Sequence, residues 1–311
     1  MKPFILASTA ILAASLEPVA ALSEPLQNIL INTDRSPIYR YPTDVTRGIL
    51  PIPVHSHNDY WRDVPFYTAL SAGCISVEAD VFLFNDTLYV GHEESALTKE
   101  RTLQSLYIEP LMNVLKKTNP KSPFSKTTNS NDDSGVFDTS SGQTLYFWIN
   151  VKNNGEKAWP HIVKALQPLR DANYLTKVQN NETFVPGPVT VIGTGGTPLS
   201  QVVSAANRDY FYDGPLKDLT GFTSLISPIA STSFMEVVGD IKSDSENLLN
   251  PTQLEAIRKQ IKAAKDKSIG VRYWETPGWP IRLRNELWRT LWKEGVALLN
   301  ADDVNAAKEY F

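Results

Sequence analysis

Short runs of alternating apolar and polar residues recur along the chain, separated by longer stretches of helical periodicity. The clearest run is Ile75-Ser76-Val77-Glu78-Ala79-Asp80-Val81-Phe82. Successive side chains of a strand point to opposite faces. Ile75, Val77, Ala79 and Val81 therefore share one side, and Ser76, Glu78, Asp80 and Phe82 the other. With this one at 75–83, further apolar runs at 48–54, 145–152, 188–193, 209–212, 225–229, 268–273 and 296–300 bring the expected strands to eight. Helical patterns fall between them at 65–72, 103–117, 159–172, 199–207, 251–267 and 280–294. The fifth is the best marked, with Asn250 as a cap, Pro251 at the first helical position and Leu254, Ile257, Ile261 and Ala264 along one stripe. Its basic face of Arg258, Lys259, Lys262 and Lys265 reads as solvated rather than as a membrane patch. Strand and helix alternating about eight times predict a single α/β domain closed into a parallel (β/α)8 barrel of the TIM type. An open doubly wound sheet is the second architecture the pattern allows.

The ends and one interruption depart from this alternation. Residues 1–21 carry Lys2, an apolar run from Phe4 to Leu16 and small residues at Val19-Ala20-Ala21, the layout of a secretory signal peptide cleaved after Ala21 or Ser23. Residues 22–48 lack periodicity and are expected as an extended N-terminal arm, with the barrel at 49–311. Residues 118–143 are dense in Ser, Thr, Asn, Asp, Pro and Lys, so a flexible insertion is expected at the barrel face opposite the catalytic one. No later segment offers about 18 uninterrupted apolar residues. A secreted or lumenal protein without a transmembrane segment follows, and Asn85-Asp86-Thr87 and Asn181-Glu182-Thr183 would suit glycosylation there. The net charge of −4 argues against reliance on nucleic acid phosphates. Cys74, the single cysteine, precludes an intrachain disulfide and reads as a core thiol.

Candidate chemistry concentrates between His55 and His92, which hold three of the four histidines. In a barrel the apolar side of 75–83 meets the helices, so Glu78 and Asp80 face inward, roughly 6.6 Å apart along the strand. Two such carboxylates need a cation between or beside them, and hard oxygen donors favour Mg²⁺ or Ca²⁺. Strand 145–152 alternates likewise: Trp148, Asn150 and Lys152 face inward, giving a neutral oxygen donor and an ammonium that suits a phosphate oxygen. Asn85-Asp86-Thr87 predicts a tight turn that carries His92 back to the strand end. With His55 or His57 it forms an acid–base pair. His161 is assigned no chemistry. Gly193-Thr194-Gly195-Gly196-Thr197 is a weak phosphate-loop candidate, and Trp288 and Trp292 read as packing.

These residues resemble the phospholipase C-like phosphodiesterase superfamily, which includes glycerophosphodiester phosphodiesterases and sphingomyelinase D enzymes. Over its length the chain looks most like the fungal altered inheritance of mitochondria protein 6 family. The resemblance is carried by His57-Asn58, by Gly73 to Asp80, by Gly91-His92 and by Ile149-Asn150-Val151-Lys152. It implies one divalent cation at Glu78 and Asp80, His57 and His92 as base and acid with His55 as an alternate to His57, and Lys152 on phosphate. It also implies Asn58 as a weaker metal ligand and Arg272-Tyr273-Trp274 as a substrate wall. The pattern departs at Asn150, where the superfamily usually has a third acidic ligand.

The expected function is a secreted, metal-assisted phosphoric diester hydrolase acting on a phospholipid or glycerophosphodiester, with transient membrane-surface contact. Two other readings stand beside it: a catalytically silent barrel that serves as a binding protein, and a zinc amidohydrolase using His55, His57 and Asp302 or Asp303.

Overall fold

The computed structural model describes residues 23–33, 36–39, 41, 43–124, 133–241 and 248–311. It divides into two compact units, Met1–Pro42 and Thr43–Phe311. The expected signal peptide lies outside the described residues. In the first unit the chain is not extended throughout, because Glu24–Thr33 forms a helix and Pro37–Tyr39 a 3-10 turn.

The second unit is the barrel. Its strands in chain order are β1 (Ile52–Ser56), β2 (Cys74–Phe84), β3 (Thr87–Val90), β4 (Leu145–Val151), β5 (Lys177–Gln179), β6 (Thr183–Val185), β7 (Val189–Gly195), β8 (Phe211–Tyr212), β9 (Gly214–Pro215), β10 (Ile229–Ser233), β11 (Gly270–Trp274) and β12 (Leu298–Ala301). Nine of them run parallel in the order β8-β7-β4-β2-β1-β12-β11-β10-β9. At the ends of that order β8 pairs with β7, β9 pairs with β10, and only Asp213 separates β8 from β9 in sequence. One interrupted stave therefore joins the two ends, and the nearly closed barrel has the eight staves of the TIM type. β3 is antiparallel to β2, with Asn85 and Asp86 at positive φ in the two-residue turn, the geometry that an Asn-Asp pair tolerates. The hairpin of β5 and β6 had no counterpart in the alternation pattern.

Several strands start later than the apolar runs imply, because polar residues continue them towards the open end. β10 is the strongest case: the apolar run at 225–229 is mostly loop, and the strand itself reads Ile-Ala-Ser-Thr-Ser with every residue buried. Its inner face carries small hydroxyls instead of apolar side chains. The helix Pro251–Lys265 is capped as its sequence implied, with reciprocal bonds between Asn250 and Gln253, and it buries Ile257, Ile261 and Ala264 against the barrel. The pattern at 159–172 is two helices, Gly155–Ala165 and Gln167–Asp171. No helix among the described residues is long and apolar enough to cross a membrane.

Residues 43–48, expected in the arm, belong to the barrel unit. Asp138 accepts hydrogen bonds from the Val45 and Thr46 amides (3.2 and 3.0 Å), and the Thr46 hydroxyl donates to the Val136 carbonyl (2.9 Å). The flanks of the expected insertion are therefore built in. Val136 and Phe137 are fully buried, and Asn119 closes the base of the loop through paired bonds to Ser134 (2.7 and 2.8 Å). Two apolar residues amid polar ones were too few to register in the composition of the segment.

Candidate active site

β1 ends in the groups that open the site. Past it Asn58 adopts a left-handed conformation (φ 49°), and this turns the chain back over the barrel mouth. Asp59 fixes the turn from below, accepting from the Ser56 hydroxyl (2.7 Å), the Phe66 amide (2.6 Å) and the Tyr107 hydroxyl (3.1 Å). Burial pushes its carboxyl above the ordinary range, although these donors oppose the shift.

The two histidines of β1 have different surroundings. His55 is fully buried inside the barrel: Nδ1 lies 2.7 Å from the Ser76 hydroxyl, Nε2 faces an Arg272 guanidinium N–H, and Glu78 Oε2 is 3.3 Å away. The neutral tautomer that satisfies Ser76 and Arg272 donates from Nδ1 to the first and accepts at Nε2 from the second, so it offers no N–H to Glu78. Burial first, and Arg272 second, lower the His55 pKa to about 3. His57 stands at the mouth, partly exposed, with Nδ1 2.8 Å from Asp302 Oδ1 and Nε2 3.8 Å from Glu78 Oε2. A carboxylate at Nδ1 requires the proton on that nitrogen and leaves the Nε2 lone pair open. The structure thus places His57, and not its alternate His55, where a substrate can reach.

A pH dependence follows from His55. Its pKa is lower in the fold than the ~6.5 of an unfolded chain, so the unfolded chain binds the extra proton between those values. Stability contributed by neutral His55 is complete above about pH 6.5 and is lost as pH falls towards 3. The urea midpoint is expected to fall more steeply between pH 7 and pH 4 in the parent than in His55→Gln. Equal slopes would contradict the buried neutral assignment.

Glu78 and Asp80 face inward as the alternation implied, 3% and 1% exposed. Burial raises the pKa of Glu78, but His55, His57 and Arg272 outweigh it and hold the group as a carboxylate. Asp80 moves the other way, upward, through burial and then the neighbouring Glu78 charge, with Lys152 opposing. The Lys152 ammonium is 2.8 Å from Asp80 Oδ2, so it already has an acidic partner, and its side chain still reaches the surface. His92 comes back on the β2–β3 hairpin with Nδ1 3.5 Å from Asp80 Oδ2 and 2.9 Å from the Tyr60 hydroxyl. That hydroxyl also lies 2.8 Å from Asp80 Oδ2 and against Asn58 Oδ1. With one proton it donates to one of these oxygens and accepts from His92 Nδ1–H. Burial and Asp80 push its pKa far up, so it stays protonated. Nε2 of His92 has no partner among the described residues, and the side chain is 43% exposed.

Whether these residues fit a divalent cation can be tested on Asp80, whose Oδ1 is buried and has no hydrogen-bond partner. Asn150 is its register partner on β4. The Asn150 carboxamide rests on Gly195, its oxygen 2.1 Å from where a Cβ would stand, and Gly195 has φ 61°. Glycine is required there on both counts. Two carboxylates and an amide oxygen form a hard donor set that suits Mg²⁺ or Ca²⁺. Among the described residues no group of three or more His, Cys, Asp and Glu is arranged to hold a metal, so an ion would depend on Asn150 and on substrate oxygens. The Asn58 side chain is turned to Tyr60, and its backbone amide is what reaches Glu78 Oε2 (3.3 Å).

The expected substrate wall is divided by strand alternation. Arg272 points into the barrel, 3% exposed, stacked over Trp148 at 4.2 Å. Tyr273 points outward, where its hydroxyl donates to Gln260 (2.8 Å) on the helix Pro251–Lys265, so it cannot line the site. Trp274 alone reaches the open end, 36% exposed. Of the zinc set, Asp302 holds His57 at Nδ1, while Asp303 caps the helix Val304–Lys308 and pairs with Arg284. In the glycine-rich 193–197 loop the Gly196 and Thr197 amides are taken by the Val151 and Thr194 carbonyls (2.8 and 3.3 Å). Sequence reasoning missed Tyr60 and the support of His57 by Asp302. The Asp at the end of the last strand was the signal for the second.

The chain is also similar in sequence to known proteins. Residues 43–213 match the family model described as an AIM6-like phosphodiesterase domain. The chain is 90% identical over 317 residues, covering both chains in full, to an altered inheritance of mitochondria protein 6 homolog of Arthroderma benhamiae. It is 35% identical over 272 residues to altered inheritance of mitochondria protein 6 of Eremothecium gossypii, covering 83% of this chain and 69% of that one. The corresponding protein of Lachancea thermotolerans is 36% identical over 287 residues, 84% of this chain and 66% of that one.

Proposed function

Since this chain belongs to the altered inheritance of mitochondria protein 6 family, with its phosphodiesterase-like domain, we propose that it is a phosphoric diester hydrolase cleaving a phospholipid or glycerophosphodiester in the secretory pathway or outside the cell. One observation carries the reading. Two histidines, each anchored at Nδ1, stand beside the inward acids, His57 next to Glu78 and His92 next to Asp80, which Lys152 also reaches.

His57 Nε2, its tautomer set by Asp302, takes the proton from the attacking hydroxyl, either water or a neighbouring hydroxyl of the substrate. The new oxygen–phosphorus bond forms as the bond to the leaving alcohol breaks. His92 delivers a proton from Nε2 to that alcohol, so charge does not build on it. Lys152 turns part of its attraction from Asp80 to a phosphoryl oxygen. Glu78, Asp80 and Asn150 are the residues that would hold Mg²⁺ or Ca²⁺, which when bound supplies charge stabilisation to the phosphoryl oxygens, whereas Asn58 is taken by Tyr60. Trp274 and the exposed Trp61, whose ring centroid is 5.1 Å from that of His92, suit transient contact with a lipid surface.

A second reading, a silent binding barrel, is favoured by the ion pair of Lys152 with Asp80 together with the neutral Asn150. Turnover decides between them. Purified protein is incubated with lysophospholipids and glycerophosphodiesters in Mg²⁺ or Ca²⁺, and phosphorus NMR separates cyclic from open phosphate products. The hydrolase reading expects one product series, lowered about a hundredfold or more by chelator and restored by the ion. No turnover of any substrate in either ion would leave only the binding reading.

A further inference from the structure

A cavity of about 420 Å³ opens at the end of the barrel opposite the mouth, where the strands enter. Leu175 pairs with Val189, the first residue of β7, Arg208 pairs with Val178 of β5, and Arg208-Asp209-Tyr210 lead directly into β8. Three cations and one carboxylate line the cavity: Arg170, Lys177, Arg208 and Asp209. The carboxylate is already taken, because Arg170 grips both oxygens of Asp209, through Nε at 2.5 Å and Nη2 at 2.9 Å. Lys177 Nζ donates to the neutral Asn173 Oδ1 (2.7 Å). Arg208, 6% exposed, donates only to neutral oxygens: Asn181 Oδ1 (2.5 Å), the Ala205 carbonyl (3.0 Å) and the Leu225 carbonyl (2.7 Å). Neither Lys177 nor Arg208 has an acidic partner among the described residues.

Buried charges in folded proteins are paired. This wall instead leaves two positive charges uncompensated in a chain whose net charge is −4. Burial lowers the pKa of Arg208, and the influence opposing it is Tyr210 rather than a carboxylate. The shortfall of two charges exceeds what one carboxylate supplies and matches a phosphate monoester, which carries about −1.5 to −2 near neutral pH. Ammonium and guanidinium groups are the usual partners of phosphate oxygens. There is also room, since small-molecule sites occupy roughly 300–1,000 Å³. Val163, Val178 and Tyr210 add apolar and aromatic wall for whatever the phosphate is attached to. We propose that this cavity binds a phosphate dianion, held by Lys177 with the charge of Arg208 behind it. It is built apart from the phosphodiester site, so the two readings stand or fall separately.

Titration calorimetry on the full chain tests this, with EDTA present so that no metal serves the mouth. The probes are glycerol 3-phosphate, inorganic phosphate and dimethyl phosphate, which is a monoanion. The parent is expected to bind glycerol 3-phosphate or inorganic phosphate with a Kd of about 1 mM or tighter, and dimethyl phosphate at least about tenfold more weakly. A preference for glycerol 3-phosphate identifies a small organic phosphate as the occupant and a preference for inorganic phosphate identifies the free ion, and either sustains the dianion site. Weaker binding of both, or equal binding of dimethyl phosphate, would overturn it. Lys177 is only half buried, so Lys177→Gln keeps the fold, which a thermal melt checks. This variant is expected to weaken binding about tenfold, whereas Lys152→Gln at the mouth should leave it within about twofold. The opposite pattern would assign the anion to the phosphodiester site and overturn the proposal.

Discussion

Alanine at His57 or at His92 is expected to lower phosphodiester turnover by about 10²- to 10⁴-fold in each case, with the fold retained. Both side chains are partly exposed, 24% and 43%, so truncation leaves no buried cavity. Their effects arise in one proton-transfer sequence, and the double variant should lose little more than the worse single one. Asp302→Asn belongs with them, because an amide at His57 Nδ1 no longer dictates which nitrogen carries the proton. If the double variant matched the parent in kcat/KM, His57 and His92 would not be the acid and base. A steady-state assay beside a thermal melt makes this measurement and separates lost chemistry from lost structure.

Arg272→Ala is expected to destabilise the barrel by about 3–5 kcal/mol. The guanidinium lies against His55, over the Trp148 ring, and 3.4 Å from Asn300 Oδ1. Without it His55 Nε2 loses its donor, and the Glu78 charge loses a compensating cation. For a unit of this size the melting temperature should fall by roughly 10 °C. Scanning calorimetry checks this, and a change under about 2 °C would mean that Arg272 fills space without balancing charge. The replacement also leaves a void beneath Trp148, which adds to the loss.

Alternation in two strands made the acids legible. Parallel strands are covered on both faces, so polar residues at every second position of β2 and β4 had to point into the barrel. The Asn-Asp turn made the return of His92 legible as well. The same rule, applied to Arg272-Tyr273-Trp274, separates the middle residue from its neighbours, a signal the resemblance obscured. What could not be read were contacts made across the chain. Asp302 meets His57 over 245 residues of separation, and no local pattern encodes that distance. The split at Asp213 was invisible for a different reason: a stave broken by one residue carries too short an apolar run to show where it ends. Ser231 and Ser233 hid β10, because small hydroxyls at an inner face look like loop composition.

The meeting of the first strand with the last decides when the candidate site is complete. The His57 amide donates to the Ala301 carbonyl (3.1 Å), and Asp302 follows directly. During synthesis the histidines, Glu78 and Asp80 all emerge early, well before the residue that orients the proposed base. Until β12 docks beside β1, His57 is free to take either tautomer and the mouth has no fixed rim. The pairing of β12 with β1 therefore completes the proposed base.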